Sequence, residues 1–281
     1  MGPRAGIVWL LSDMLLVTTM TVLVKLGGAS YPAVQIVFIR SLIGLVSVLP
    51  MAFRQRHALQ QTRHWRRHGF RVLCNTLALN ANFAAITALP LALVNAIGFM
   101  RPLVVLALAG WLLGERSGPW RWLGAAIGFA GVLVMVGPSE VNWNIGIVAA
   151  LAAVVFGSLA TVQTRALAAE NTTVLMVFYT VGLSVFTAIP AVIAWQPVAV
   201  ADWPLLLAIG VLAQLGQYCY LRAYQGTPAN LLAPFGYLSI VLASLAGFLA
   251  FGEIPAWTTI AGSAIIVLAL VGTSRLDRPR S

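Results

Sequence analysis

Apolar runs of about 20 residues follow one another along nearly the whole chain, separated by short polar stretches. A helix that crosses a bilayer core of about 30 Å needs roughly 20 mainly apolar residues. The pattern therefore predicts an all-α membrane protein with ten transmembrane helices. Their predicted bounds are 5–26, 32–52, 69–88, 91–113, 119–137, 144–164, 173–195, 203–222, 229–251 and 256–273.

The second half of the chain repeats the first. Residues 84–134 align without gaps on 222–272 at an offset of 138, and the earlier helices match at an offset of 140. The aligned pairs include Pro90 with Pro228, Leu93 with Leu231, Gly98 with Gly236, Gly114 and Glu115 with Gly252 and Glu253, Lys25 with Arg165, and Pro50 with Pro190. The alignment predicts two repeats, 1–137 and 138–281, of five helices each.

Five is an odd number, so the second repeat must enter the membrane with the opposite polarity. Inverted repeats are the usual scaffold of alternating access, in which a site near the midplane opens to each side in turn. The aligned prolines and Gly-Glu pairs are expected to be architectural, because prolines suit the first turn of a helix and glycines suit its end. Proton relay by Glu115 is the alternative for the Gly-Glu pairs.

Composition supports this interpretation: 60% of the 281 residues are hydrophobic and 9% are charged. The net charge of +10 reflects topology rather than nucleic-acid binding, because basic loops stay on the cytoplasmic side. With a cytoplasmic N-terminus, Lys25 alone would lie outside, and both termini would be cytoplasmic. Fourteen basic residues would then lie inside, namely Arg4, Arg54, Arg56, Arg63, Arg66, Arg67, Arg71, Arg116, Arg121, Arg165, Arg222, Arg275, Arg278 and Arg280.

Three ionisable residues are predicted near the middle of the membrane: Asp13, Arg40 and Arg101. Their repeat counterparts Ala153, Thr180 and Ser239 carry no charge. A charge at such depth costs at least about 2.5 kcal/mol, so it must face a cavity or a partner. The three are candidates for binding substrate or a coupling proton, and an ion pair of Asp13 with Arg40 or Arg101 is the structural alternative.

Polar and aromatic residues extend the candidate site. Asn75 and Asn82 lie seven positions apart on one helical face, and Gln217 lies on the eighth predicted helix. Amides serve either helix adhesion or recognition of a polar metabolite, and Tyr237 could stack on a planar substrate or simply pack. Pro102 follows Arg101 and is expected to kink the fourth helix. We expect no catalytic residue, no cofactor and no metal site, and a buried role for Cys74 and Cys219.

Two segments carry a family resemblance: "PLALVNAIGFMRPLVVLALAGWLLGERSGPWRWLGAAIGFAGVLVMV" and "TPANLLAPFGYLSIVLASLAGFLAFGEIPAWTTIAGSAIIVLALVG". Together with "QIVFIRSLIGLVSVLP", they resemble the drug/metabolite transporter superfamily, EamA type, over essentially the whole chain. The resemblance implies a ten-helix secondary transporter in the bacterial inner membrane. The opening "GIVWLLSDMLLVTTMTVLVKL", together with "YPAVQIVFIR", loosely resembles a bacterial branch to which uptake of S-adenosylmethionine or riboflavin is attributed.

The resulting hypothesis is a secondary carrier of a small organic metabolite, such as a vitamin or nucleoside-like compound. The chain has no Gly-rich loop ending in Gly-Lys-Ser/Thr, so transport would use a gradient or exchange. The alternatives are an exporter of amino acids or drugs, a membrane enzyme acting on lipid-linked substrates, and an uncoupled channel. Expected partners are the substrate, a coupling proton and membrane lipids, but not nucleic acid. The oligomeric state stays open, with a homodimer among the options.

Overall fold

The structure is a computed structural model that describes residues 3–27, 31–89, 94, 97–136, 145–252, 254, 256 and 257–276. Its regular elements are helices, with no strand among the described residues. The helices are α1 Pro3–Gly27, α2 Ala33–Arg54, α3 Arg56–Gln61, α4 Trp65–Ala88, α5 Arg101–Leu113, α6 Pro119–Val136, α7 Ile145–Ala166, α8 Thr172–Ile193, α9 Trp203–Gly226, α10 Ala229–Leu232, α11 Leu238–Phe251 and α12 Trp257–Leu276.

The expected all-helical class is confirmed, and most helix bounds agree with the predicted spans within a few residues. Within the described residues, six helical stretches are long and apolar enough to cross a membrane: 5–24, 34–54, 145–166, 172–193, 200–226 and 229–251. The apolar helices at 101–113, 119–134 and 257–272 are shorter. The count of ten and the cytoplasmic location of both termini stay predictions.

The chain forms two compact units, the first of residues 1–72 and 167–226 and the second of residues 73–166 and 227–281. In the first unit, α1 packs on α9, and α2 packs on both α8 and α9. One apolar cluster joins Ile36 and Ile39 of α2 to Leu206 and Ile209 of α9. Large hydrophobic side chains on the surface, such as Ile189 at 72% exposed, suit contact with lipid tails.

In the second unit, α6 packs along α12 and α5 packs along α7. Gly131 makes the first contact close, because a Cβ there would lie 2.9 Å from the carbonyl oxygen of Gly262. Small residues let helices approach closely in lipid. At Gly110 the surroundings are open, because a Cβ there would have only the carbonyl oxygen of Glu115 within 4 Å, at 3.7 Å.

Glycines end two helices at equivalent points of the repeat. Gly114 follows α5 with φ of 67°, and Gly252 follows α11 with φ of 65°. Residues other than glycine rarely adopt this left-handed backbone conformation, which explains the glycine in both halves. The expected helix-ending role of both residues is confirmed, whereas Glu253 and Pro90 lie outside the described residues.

Candidate functional site

The fourth predicted helix is interrupted in the middle. Residues 97–98 are helical, 99–100 form a turn, and α5 then begins at Arg101 with Pro102 in its first turn. Proline is tolerated there because the amide groups at the start of a helix have no partner within the helix. The expected disturbance at Pro102 is therefore a break before the proline. It sets Arg101 at the beginning of a half-helix.

Arg101 is anchored to α7 within the second unit. Its Nη2 donates to the carbonyl oxygen of Gly157 at 2.9 Å and to Oγ1 of Thr161 at 3.0 Å. The side chain nevertheless remains exposed. A Cβ on Gly157 would lie 3.2 Å from Cζ of Arg101, so the missing side chain makes room for the guanidinium. Sequence reasoning found Arg101 but missed Gly157 and Thr161, although Gly157 aligns with the larger Val17.

The ninth predicted helix is interrupted at the equivalent position. A 3₁₀ segment, Ala233–Tyr237, separates α10 from α11. A Cβ on Gly236 would lie 3.3 Å from Cγ of Pro102, so the two interruptions approach each other within the second unit. Tyr237 is completely buried, and Gly128 of α6 lies against its ring. The Tyr237 hydroxyl has no hydrogen-bond partner among the described residues.

Arg40 lines a small cavity in the first unit, of about 20 Å³. This volume is enough for about one water molecule. Nη1 of Arg40 donates to Sδ of Met20 at 3.8 Å, and no carboxylate lies within ion-pair distance of Arg40 in the described part of the chain. Polar groups of α8 and α9 share the cavity, including Tyr179, Thr180 and Gln214.

Asp13 lies on α1 and faces α9 in the first unit. A Cβ on Gly216 would lie 3.2 Å from Oδ1 of Asp13, so this glycine makes room for the carboxylate. Gln217, the next residue on α9, is half-buried. The structure thus brings Asp13 close to the segment that carries Gln217.

Asn75 and Asn82 belong to the second unit, on α4, and both are half-buried. Asn80, between them, donates from Nδ2 to the carbonyl oxygen of Thr76 in its own helix at 2.9 Å. The choice between adhesion and recognition for Asn75 and Asn82 stays a prediction.

Sequence reasoning missed a larger polar cavity at one end of the first unit, of about 530 Å³. Thr172 donates to Oε1 of Gln225 at 2.7 Å, and Nε2 of Gln225 donates to the carbonyl oxygen of Glu170 at 2.6 Å. Asn171 caps α8 by accepting from the amide of Thr173. The clustering of polar residues at the ends of α8 and α9 was the available signal. The polar lining comprises Gln55, Glu170, Asn171, Thr172, Thr173, Tyr218, Arg222 and Gln225.

The cysteines are free and buried, as expected. No group of three metal-ligating side chains occurs among the described residues.

Comparisons with known proteins connect these features to a family. The EamA-like transporter family matches the chain twice, at residues 4–137 and 144–275. The chain belongs to the EamA-like transporter family. It is therefore a transport protein of the drug/metabolite transporter superfamily and a multi-pass protein of the inner membrane.

Several EamA relatives align over almost their full length. The pseudopaline exporter CntI of Pseudomonas aeruginosa is 32% identical, with 93% of each chain covered. The S-adenosylmethionine uptake transporter of Rickettsia prowazekii is 24% identical, covering 94% of this chain and 90% of the relative. The riboflavin transporter of Vibrio cholerae is 26% identical, covering 99% of this chain and 96% of the relative.

A solved crystal structure shares the fold, with a TM-score of 0.85 at 21% identity. The match covers 98% of this chain and 99% of the other.

Proposed function

We propose that this EamA transporter is a secondary active carrier of a small organic metabolite that works by alternating access. The paired helix interruptions carry the proposal. The turn at residues 99–100 and the 3₁₀ segment Ala233–Tyr237 occupy matching parts of the two repeats. Interrupted helices in secondary transporters expose backbone groups to substrate and ions near the membrane midplane.

The proposed architecture has ten helices in two inverted repeats, 1–137 and 138–281, with both termini cytoplasmic. An inverted repeat allows the two halves to exchange conformations, which an enzyme acting on lipid-linked substrates does not need. The proposed substrate or coupling residues are Asp13, Arg40, Arg101, Asn75, Asn82, Gln217 and Tyr237. Asp13 is the proposed carrier of the coupling proton, because a carboxylate can take up and release a proton without metal or cofactor.

Uptake of a vitamin or nucleoside-like metabolite is the first candidate activity. The relatives named as S-adenosylmethionine and riboflavin transporters support it. Export is the second candidate, favoured by the 32% identity to the pseudopaline exporter and including amino acids or drugs as cargo.

Membrane lipids are a further proposed partner. Five exposed arginines lie within α3 or beside it, and the sequence from Arg54 to Arg71 contains no acidic residue. Such a cluster beside a spanning helix attracts anionic headgroups by roughly 1 kcal/mol per basic residue. A homodimer remains an assembly to be tested. The five arginines are Arg54, Arg56, Arg63, Arg66 and Arg67.

The test is flux into and out of proteoliposomes, using labelled S-adenosylmethionine, riboflavin, amino acids and drugs. Counterflow, in which unlabelled internal compound drives uptake of the labelled one, is expected for at least one compound and indicates a carrier. A pH gradient should accelerate net transport by the wild type. Asp13→Asn should keep counterflow and lose this acceleration. Absence of counterflow across the panel in a correctly folded preparation would contradict the carrier proposal.

A further inference from the structure

Arg101 is a cation held within the membrane by neutral groups. The α5 helix runs for 13 residues from Arg101 to Leu113, which is about 20 Å at 1.5 Å per residue. Arg101 therefore lies deep within a core of about 30 Å when measured from the Gly114 end. The carbonyl of Gly157 and the hydroxyl of Thr161 accept hydrogen bonds, but they bring no negative charge.

The guanidinium keeps donors available for a ligand. The two hydrogen bonds to α7 start from Nη2, and neither Nη1 nor Nε has a partner among the described residues. The side chain is exposed, and no carboxylate lies within ion-pair distance in the part of the chain that the structure describes. A cation at this depth in the membrane favours an anionic partner, and arginine suits carboxylate and phosphate groups.

The arginine and the space for it come from different repeats, Arg101 from 1–137 and Gly157 from 138–281, and they meet within the second unit. Gly157 aligns with Val17, and Arg101 aligns with Ser239. A side chain at position 157 would crowd the guanidinium, whose Cζ lies 3.2 Å from the place of a Cβ. The counterpart positions carry a valine and a serine instead, so the repeated helix scaffold alone does not require this combination.

We infer that Arg101 binds an oxyanion of the transported molecule, a carboxylate or a phosphate, while Gly157 and Thr161 position the guanidinium. The substrate class is therefore an anionic or zwitterionic small organic molecule. Arg101 is the substrate-binding residue, and Gly157 and Thr161 act through it. This inference rests on the proposed carrier function for its biological setting, although the binding site itself can be tested without transport.

The direct test is chemical labelling of the purified full-length protein in lipid nanodiscs. Phenylglyoxal modifies accessible guanidinium groups, and mass spectrometry of peptides reports the labelling rate at Arg101. Two probe pairs differ in an oxyanion: S-adenosylmethionine against decarboxylated S-adenosylmethionine for carboxylate, and flavin mononucleotide against riboflavin for phosphate. We expect the member that carries the oxyanion, termed the anionic probe for its carboxylate or phosphate group, to slow labelling of Arg101 at least fivefold more than the member without it. The exposed Arg66 and Arg67 should show no protection and serve as internal controls.

Protection by one anionic probe identifies the oxyanion as carboxylate or phosphate. Equal labelling of Arg101 with and without every anionic probe overturns the inference. Gly157→Ala should weaken protection, whereas the matched control Gly110→Ala should preserve it, because only one atom lies within 4 Å of the Cβ position there. Protection at Arg101 without counterflow would count against the carrier proposal alone. Counterflow of an anionic probe without protection would count against the oxyanion site alone.

Discussion

Oε1 of Glu115 accepts a hydrogen bond from Nε of Arg165 at 3.0 Å, and the ion pair joins the end of α5 to the end of α7. Oε2 of the same carboxylate accepts from the amide of Asn230 at 3.1 Å, and Nδ2 of Asn230 donates to the carbonyl oxygen of Arg116 at 3.0 Å. With both carboxylate oxygens bonded, Glu115 stabilises the junction of three helices. This geometry favours the architectural interpretation of the Gly-Glu pair over proton relay.

Substitutions at Glu115 and Arg165 should each lower stability, and their effects should not be additive. The side chains are 13% and 23% exposed, so each retains part of its hydration. We expect Glu115→Ala and Arg165→Ala each to cost about 1–3 kcal/mol. A double-mutant cycle, measured by unfolding in mixed micelles, should give a coupling energy of at least about 0.5 kcal/mol. Strict additivity would show that the pair contributes nothing beyond separate contacts.

Gly128→Ala should destabilise the second unit. A Cβ there would lie 2.6 Å from Cδ2 of Tyr237, whose side chain is completely buried and has no room to retreat. Overpacking of this kind costs about 1–3 kcal/mol. Thermal unfolding of the purified protein provides the measurement. Gly110→Ala is the matched control and should remain within about 1 kcal/mol of the wild type.

Tyr237→Phe separates a packing role from a substrate role. The hydroxyl is buried without a partner among the described residues, so its removal should leave stability unchanged or slightly higher. If Tyr237 contacts substrate in another conformation, counterflow by Tyr237→Phe should fall at least threefold despite normal stability. Wild-type counterflow would restrict the residue to packing.

Hydropathy and the internal repeat were sufficient to predict the helical class and most helix bounds, because lipid requires long apolar helices with their backbone groups paired internally. They did not predict α3, whose six residues lie in a polar stretch. The break before Arg101 was anticipated only as a proline kink. Apolar composition continues through the turn at 99–100, so hydropathy carries no signal for it.

The sequence was sufficient to select the charged residues of the candidate site, but not the residues that contact them. Comparing the repeats singled out Arg40 against Thr180, and the structure places both at the same cavity because α2 packs on α8. The comparison of the repeats could not predict that Met20 contacts Arg40 or that the carbonyl oxygen of Gly157 accepts a hydrogen bond from Arg101. Such contacts depend on how helices rotate about their axes, which one sequence does not specify.

His68 should make stability fall with acid. It lies one residue before the predicted span, is completely buried, and stacks on Phe178 with ring centroids 4.3 Å apart. Burial, followed by the charge of Arg71, lowers the pKa of His68 from 6.5 to about 4, against the opposing charge of Glu170. The unfolded chain therefore takes up a proton at this residue between about pH 6.5 and 4 that the folded chain does not, so stability decreases as pH falls through this window.

Thermal unfolding at pH 7.5 and pH 5 tests this prediction. The decrease in melting temperature on acidification should be smaller in His68→Gln than in the wild type. His57→Gln removes an exposed histidine from the same basic segment and should retain the wild-type decrease. An equal decrease in all three proteins would show that His68 titrates alike in the folded and unfolded chains.

Arg40 and Arg71 should respond oppositely to replacement by methionine, although both lie in the first unit. Nη2 of Arg71 donates to the carbonyl oxygen of Leu175 at 2.6 Å, and the side chain is 1% exposed. Arg71→Met leaves that carbonyl without its donor and should cost about 1–3 kcal/mol. Arg40→Met instead removes a cation that has no carboxylate within ion-pair distance among the described residues. Its stability should therefore be equal to or above that of the wild type, because an apolar side chain avoids the cost of burying charge.

Transport measurements then distinguish a functional role of Arg40 from a structural one. A carrier that needs this charge for substrate or ion should lose at least tenfold in counterflow in Arg40→Met while its melting temperature is maintained. Arg40→Lys should recover part of the flux, since it restores the charge without the planar guanidinium. If Arg40→Met melts well below the wild type, the charge is structural. If its flux is normal, Arg40 does not belong to the substrate site.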